Sequence, residues 1–140
     1  MAEVEVRWEG GWMFGGLDSK LMPVDIDGAQ ELGAKPSDLL PISLAACSAS
    51  DVVKVLGDGD GELVSLAVRA RYFQAPDPPW AFRRIRLHYD VVGRGLTEDR
   101  VAAAIRHSEE EVCSVAATLR GNVAMESTFE LSEPDSREEA

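Results

Sequence analysis

The stretch "PSDLLPISLAACSASDVVKVLG", residues 36–57, decides the fold. Pro36 suits the first turn of a helix, where its missing N–H costs nothing. Ser37 and Asp38 add polar and negative character at the positive end of the helix dipole. From Leu39 to Leu56 the chain is apolar on most faces, the mark of a buried helix. Gly57 is placed to end it. Pro41 is the oddity, because a proline inside a helix removes one backbone hydrogen bond and threatens a kink. In the middle stands a thiol, Cys47, with two readings. It packs as a small apolar filler, or it forms half of a reactive pair with the only other cysteine, Cys113.

Outward from this helix the pattern turns to strands. Residues 3–8, Glu-Val-Glu-Val-Arg-Trp, alternate with the period of a half-buried strand. Gly10-Gly11 and Gly15-Gly16 punctuate the next stretch, around Trp12, Met13 and Phe14, and Leu21–Ile26 reads as a second strand. Residues 27–35 read as a loop. After the long helix, residues 62–73 read as a strand. Residues 84–92 alternate so that Ile85, Leu87, Tyr89 and Val91 share one face, and the two segments make a hairpin.

Thr97 is a fitting N-cap, followed by Glu98 and Asp99 in the first turn. Val101, Ile105, Val112 and Ala116 then form a helical stripe, with Ser108 to Glu111 as the wet face. Cys113 lies beside the stripe near its end. Asn122–Leu131 alternates through Val123, Met125, Ser127 and Phe129. The order of elements predicts an α+β fold, helices on one side of antiparallel sheet, in a single domain over residues 1–131 with an acidic, frayed tail at 132–140.

Composition narrows function. The 140 residues carry a formal net charge of −11 with scattered Lys and Arg, which argues against nucleic acid. No run of eighteen apolar residues occurs, so no membrane partner is expected. Nor is there a basic start with an apolar block, so the expected location is cytoplasmic. The cysteines are 66 positions apart, and neither they nor His88 and His107 have metal-ligand spacing, so no metal is expected. The Gly-Gly pairs fit no phosphate loop and there is no Gly-x-Ser-x-Gly elbow. Arg83, Arg84 and Arg86 could hold an anion, although strand-face charges are ordinarily solvated. His88, pointing away from Leu87 and Tyr89, reads as a sheet-face residue. Asp38 reads first as a cap and second as a catalytic support. The three glutamates before Cys113 would raise its pKa if close, so its local sequence gives no support for reactivity.

Two long segments together resemble the OsmC/Ohr family. "KPSDLLPISLAACSASDVVKVL" (35–56) is similar to that family's central helix, with Ala-Cys at its middle. "RRIRLHYDVVGRGLTEDRVAAAIRHSEEEVCSVAATLRGNV" (83–123) is similar to its second half, where a strand leads through Gly-x-Gly-Leu into a helix, Ser-Glu-Glu, a second cysteine and Arg-Gly-Asn-Val. The resemblance covers residues 3–131.

It implies an intertwined homodimer whose antiparallel sheets enclose long central helices, with the thiols at the subunit interface. It also implies a thiol-dependent hydroperoxide reductase serving oxidative-stress defence, with no metal or other cofactor. Cys47 is similar to the thiol that attacks an organic or hydrogen peroxide. Its sulfenic acid then condenses with Cys113, and a dithiol such as a lipoyl group reduces the disulfide. The sequence departs from the hydroperoxide-resistance branch where that branch has a Glu ten residues before the first cysteine. Here the position is Ser37, with Asp38 beside it. The early loop "GGWMFGGLDSK" also lacks the branch's Arg, and Lys20 is its cation. The acidic-Leu-Leu pattern at 38–40 and the "DVV" after Cys47 instead resemble the OsmC-like branch. The missing Arg keeps open an alternative, a dimer that binds a small apolar ligand or acts as a slow redox sensor.

Overall fold

The structure is a computed structural model describing residues 1–135, so the last five residues of the expected acidic tail lie outside the described part. The described chain forms two compact units, residues 1–40 and the remainder from Pro41.

The first unit is a three-stranded antiparallel sheet, β1 (Glu5–Gly10), β2 (Met13–Leu17) and β3 (Pro23–Asp27), with β2 in the middle. β1 and β3 answer to the expected strands. β2 runs through the Gly-rich stretch read as punctuation, because the sheet neighbours supply what its glycines lack. Gly15 and Gly16 pair with Arg7 and Val6 on one side and with Asp25 and Val24 on the other. The β1–β2 turn needs left-handed backbone, met by Gly10 and Gly11 at φ 104° and 54°. Asp27 organises the following loop. Its carboxylate accepts backbone N–H bonds from Ala29 (2.8 Å), Leu32 (3.0 Å) and Glu31 (3.1 Å). Those N–H groups, Leu32 first and Ala29 next, hold its pKa below the usual carboxylate value. A 3-10 turn, Pro36–Asp38, then opens α1 (Leu39–Gly57).

Pro41 falls in the first turn of α1, where N–H groups lack acceptors within the helix, so it fits rather than kinks. The buried residues of α1 are Pro41, Leu44, Ser48, Val52 and Leu56, one stripe at helical spacing. Its other apolar residues are not covered: Ile42 is 52% exposed and Val53 47%. The expectation of a helix buried all round therefore fails for the single chain. By length and mean hydropathy (1.6), residues 36–57 would also suffice to cross a membrane, which the search for an unbroken apolar run missed. Leu44, Val52 and Leu56 instead join the core cluster of the second unit.

The second unit contains the hairpin β4 (Glu62–Gln74) and β5 (Phe82–Arg94), joined by β6 (Ala124–Ser132). β4 and β5 are antiparallel, and β6 pairs with β5 in parallel, so the sheet is mixed rather than wholly antiparallel. The intervening helices carry the chain back to the start of the sheet, which forces the parallel pairing. The alternation in β5 holds: Ile85, Leu87, Tyr89 and Val91 are buried. They form the core with the α1 stripe and with Val101, Ala104 and Ile105 of α2 (Glu98–His107). Thr97 caps α2, its hydroxyl accepting the Arg100 N–H at 3.2 Å.

The expected long second helix breaks. α2 ends at His107, a π-turn spans Ser108–Val112, and a short α3 runs Ser114–Leu119. The wider turn rotates the pattern. Ser108, expected wet, is fully buried, whereas Val112, expected in the apolar stripe, is 49% exposed. Cys113 is extended (φ −68°, ψ 111°) between the turn and α3.

Candidate active site

Helical spacing places Cys47 one residue before the buried Ser48, at the margin of the α1 stripe, half-buried. Cys113 is buried in the break between the π-turn and α3. The two thiols are neighbours, close enough for Cys113 to act on the Cys47 proton. Cys113 Sγ also accepts the Ala116 N–H at 3.4 Å, which caps α3 with sulfur. The backbone N–H groups of Ser114 and Val115 point at Cys47.

These contacts compete over the Cys47 proton. Burial, first, and the neighbouring Cys113 side chain, second, push its pKa above the usual thiol value. The Val115 and Ser114 N–H groups pull it down, but less strongly. None of the groups acting on Cys47 is a cation. Cys47 therefore rests as a protonated thiol beside Cys113.

Around them lies a polar network that sequence reading did not anticipate. The Ser108 hydroxyl donates to Asp51 Oδ2 (3.0 Å) and lies 3.2 Å from the Ser48 carbonyl, tying the turn before Cys113 to the helix that carries Cys47. Tyr89, from the inner face of β5, donates to Glu109 Oε1 at 2.9 Å. The Ser127 hydroxyl donates to the same oxygen, and Arg120 donates to the Glu109 carbonyl. Burial and then the adjacent Glu109 charge push the Tyr89 phenol far up, so it stays protonated. The buried Ser48 hydroxyl faces the Tyr89 oxygen without reaching full hydrogen-bond geometry with any described group. Ser108 and Glu109 looked like solvent-facing residues because the α-helical period was carried through a turn that is not α-helical.

Of the three sequence-predicted residues, the structure brings Cys47 and Cys113 together. Asp38 ends the 3-10 turn in the first unit, whereas the thiol site is built from the second unit alone. For a metal, His88, Asp90 and Glu130 have ligand atoms within 4.8 Å of one another. His88 and Asp90 are already mutually bonded at 3.2 Å, and Arg69 sits on Asp90 at 2.9 Å, so a positive charge already occupies that cluster.

The profile of the OsmC-like protein family matches residues 28–128, and so contains both cysteines and every member of the network around them. The chain belongs to the OsmC-like family. Protein YhfA of Escherichia coli K12 is 30% identical over 130 residues, 92% of this chain and 97% of its own. Among solved structures, a hypothetical protein from Aquifex aeolicus superposes with a TM-score of 0.86 at 22% identity, covering 96% of this chain and 98% of that one. An organic hydroperoxide resistance protein OsmC from Legionella pneumophila gives a TM-score of 0.64 at 18% identity, covering 93% and 96%. These two likenesses concern the fold. The family assignment and these superpositions agree with the expected α+β architecture.

Proposed function

We propose that this OsmC-like chain is a thiol-dependent hydroperoxide reductase that reduces organic or hydrogen peroxides. One observation carries the reading: its only two cysteines, from separate elements, lie beside each other, close enough for Cys113 to act on the Cys47 proton. Exposure divides their roles, since Cys47 is half-buried and Cys113 is 1% exposed. A peroxide reaches Cys47.

The Cys47 thiolate attacks the terminal peroxide oxygen. A sulfur–oxygen bond forms, the O–O bond breaks, and the leaving alkoxide takes a proton to become an alcohol. Cys113 then attacks the Cys47 sulfenic acid. The disulfide forms, the sulfur–oxygen bond breaks, and the departing hydroxide takes the Cys113 proton to leave as water. An external dithiol of the lipoyl class returns both thiols by exchange and is itself oxidised to a disulfide. The Ser114 and Val115 N–H groups supply positive charge to the Cys47 thiolate when it forms. The solved relative from Legionella described as an organic hydroperoxide resistance protein supports this chemistry by analogy.

The reading includes a homodimer. Besides Ile42 and Val53 on α1, the first sheet exposes Val6, Trp8 and Val24, which the register places on one face. A second copy covering these residues accounts for an apolar helix that a single chain leaves open. Sedimentation should then give twice 15.2 kDa, and Ile42→Glu with Val53→Glu should shift it to one chain.

A second reading, a slow redox sensor or binder of a small apolar ligand, draws on the raised Cys47 pKa and the absence of a cation among the groups acting on it. Trapping separates the two. In Cys113→Ser, a brief exposure to cumene hydroperoxide should leave a dimedone adduct on Cys47, because its sulfenic acid has no partner. An unlabelled Cys47 would remove the peroxidase reading.

A further inference from the structure

The face of the second sheet that points away from the core has a character of its own. Register places Arg71 directly beside Arg86, and Arg86 beside Glu126. The next row holds Arg69, His88 and Thr128, and the row on the other side holds Phe73 and Arg84. Between these side chains lies a hollow of about 330 Å³, lined by Arg69, Arg71, Arg86, His88, Glu126 and Thr128, with Leu87 at its floor. It lies on the opposite face of β5 from Tyr89 and so is separate from the thiol site.

Charge is unbalanced there. Glu126 is shared by Arg86, 3.2 Å away, and Arg84, 3.9 Å away. Asp90 takes Arg69 at 2.9 Å. Asp90 sits beside Glu130 in the same row, beyond the hollow, so four guanidinium groups on this face meet three carboxylates, while of the groups lining the hollow Arg69, Arg71 and Arg86 face Glu126 alone. Arg71 has no ion pair or hydrogen bond among the described residues. Like charges directly opposite each other in a sheet repel, and Arg71 and Arg86 are such a pair. A chain with a net charge of −11 that gathers four of its 14 basic residues on one face of two adjacent strands, β4 and β5, concentrates its positive potential against the trend of the whole molecule.

Other parts of the hollow are already oriented. The Arg86 guanidinium lies over the Phe73 ring, 5.4 Å from its centroid, which fixes its plane. His88 Nδ1 and Thr128 Oγ1 are 2.6 Å apart, leaving a hydroxyl and a ring at the floor. Guanidinium groups from two strands approach one point from several directions. That arrangement suits a tetrahedral anion with oxygens on all sides better than a planar carboxylate, which one Arg can hold edge-on.

We propose that the Arg69–Arg71–Arg86 hollow on the outer sheet face binds a phosphate group, as the free ion or on a small monoester. Three guanidinium groups against one carboxylate along its lining suit the hollow to an anion. Arg71 supplies the free guanidinium and Arg86 the stacked one.

The test titrates the full chain at neutral pH and constant salt with inorganic phosphate, phenyl phosphate and succinate, following the Arg Nε–H resonances. Both phosphates should saturate, with Arg71 and Arg86 shifting most, and succinate should bind more weakly. The tighter of the two phosphates names the source, ion or ester. Arg71→Gln should weaken binding about tenfold, the order expected for one lost charge-assisted hydrogen bond. Lys54→Gln, on α1, should change nothing. Shifts that do not saturate, succinate binding as tightly as phosphate, or an Arg71→Gln variant that binds as the parent does would each overturn the site.

Discussion

The two cysteines sit in opposite kinds of backbone. Cys47 lies in the middle of a regular 19-residue helix, where hydrogen bonds on both sides fix its position. Cys113 lies where regularity stops, extended between a π-turn and a six-residue helix. The accessible thiol lies inside a helix, and the buried thiol lies at the joint between two elements, its N–H donating to the Ser108 carbonyl at 2.7 Å and its carbonyl accepting from Ala117 at 3.0 Å. A disulfide needs the Cα atoms within about 7 Å and a defined torsion, so one partner has to adjust as the bond forms. The difference teaches that adjustment belongs to Cys113, while Cys47 keeps its place for an incoming substrate. π-turns within helices are often found at functional sites, and here the turn is what aims Cys113 back at α1.

The contrast can be broken most directly by alkylation. Iodoacetamide applied to the folded, reduced chain should modify Cys47 well before Cys113, because Cys113 is 1% exposed. The sign of the pH dependence comes from the raised Cys47 pKa. The protonated thiol dominates below it, so the rate should climb roughly tenfold per pH unit and still be rising above about pH 8.5, the ordinary thiol value. A rate that levels off below neutral pH would mean that a cation acts on Cys47 in solution, and the thiol would then resemble an activated nucleophile.

The tie between the two backbones gives a smaller effect. Ser108→Ala removes the hydroxyl that bonds Asp51 and faces the Ser48 carbonyl. The variant should lose about 1–3 kcal/mol in urea unfolding, as expected when a partly buried carboxylate loses its donor. If the tie also holds Cys113 toward α1, dimedone should trap more Cys47 sulfenic acid in Ser108→Ala than in the parent. Equal trapping would restrict Ser108 to stability. Thr97→Ala, at the start of α2 and remote from the π-turn, should cost about 1 kcal/mol and leave trapping unchanged, which separates general loosening from loss of this tie.

Most of the architecture was legible because period is a strong signal. The alternation Ile85–Leu87–Tyr89–Val91 placed the inner face of β5 correctly, and Thr97 marked the start of α2. Three features were not legible, for distinct reasons. β2 is held by its neighbours on both sides, which local glycine content hides. The parallel pairing of β6 depends on how the helices return the chain, a non-local property. The π-turn changes period for five residues, so extrapolating the α-helical stripe put Val112 inside and Ser108 outside, the reverse of their places. That same error hid the Ser108–Asp51 and Tyr89–Glu109 contacts. The family resemblance named the cysteine pair, and the structure adds that Cys113 lies close enough to act on the Cys47 proton, while local sequence around either one left both readings open. Asp38 remains a proposal from sequence.

The central claim is that Cys47 and Cys113 act as one two-electron couple. Thiols should be counted on the reduced chain before and after one equivalent of cumene hydroperoxide, with Cys47→Ser beside it. The account predicts rapid loss of both thiols in the parent, restored by a dithiol, and no peroxide-driven loss in the variant. Two thiols that persist over many minutes in the parent would contradict it and leave Cys47 as a packed residue of a binding or sensing protein.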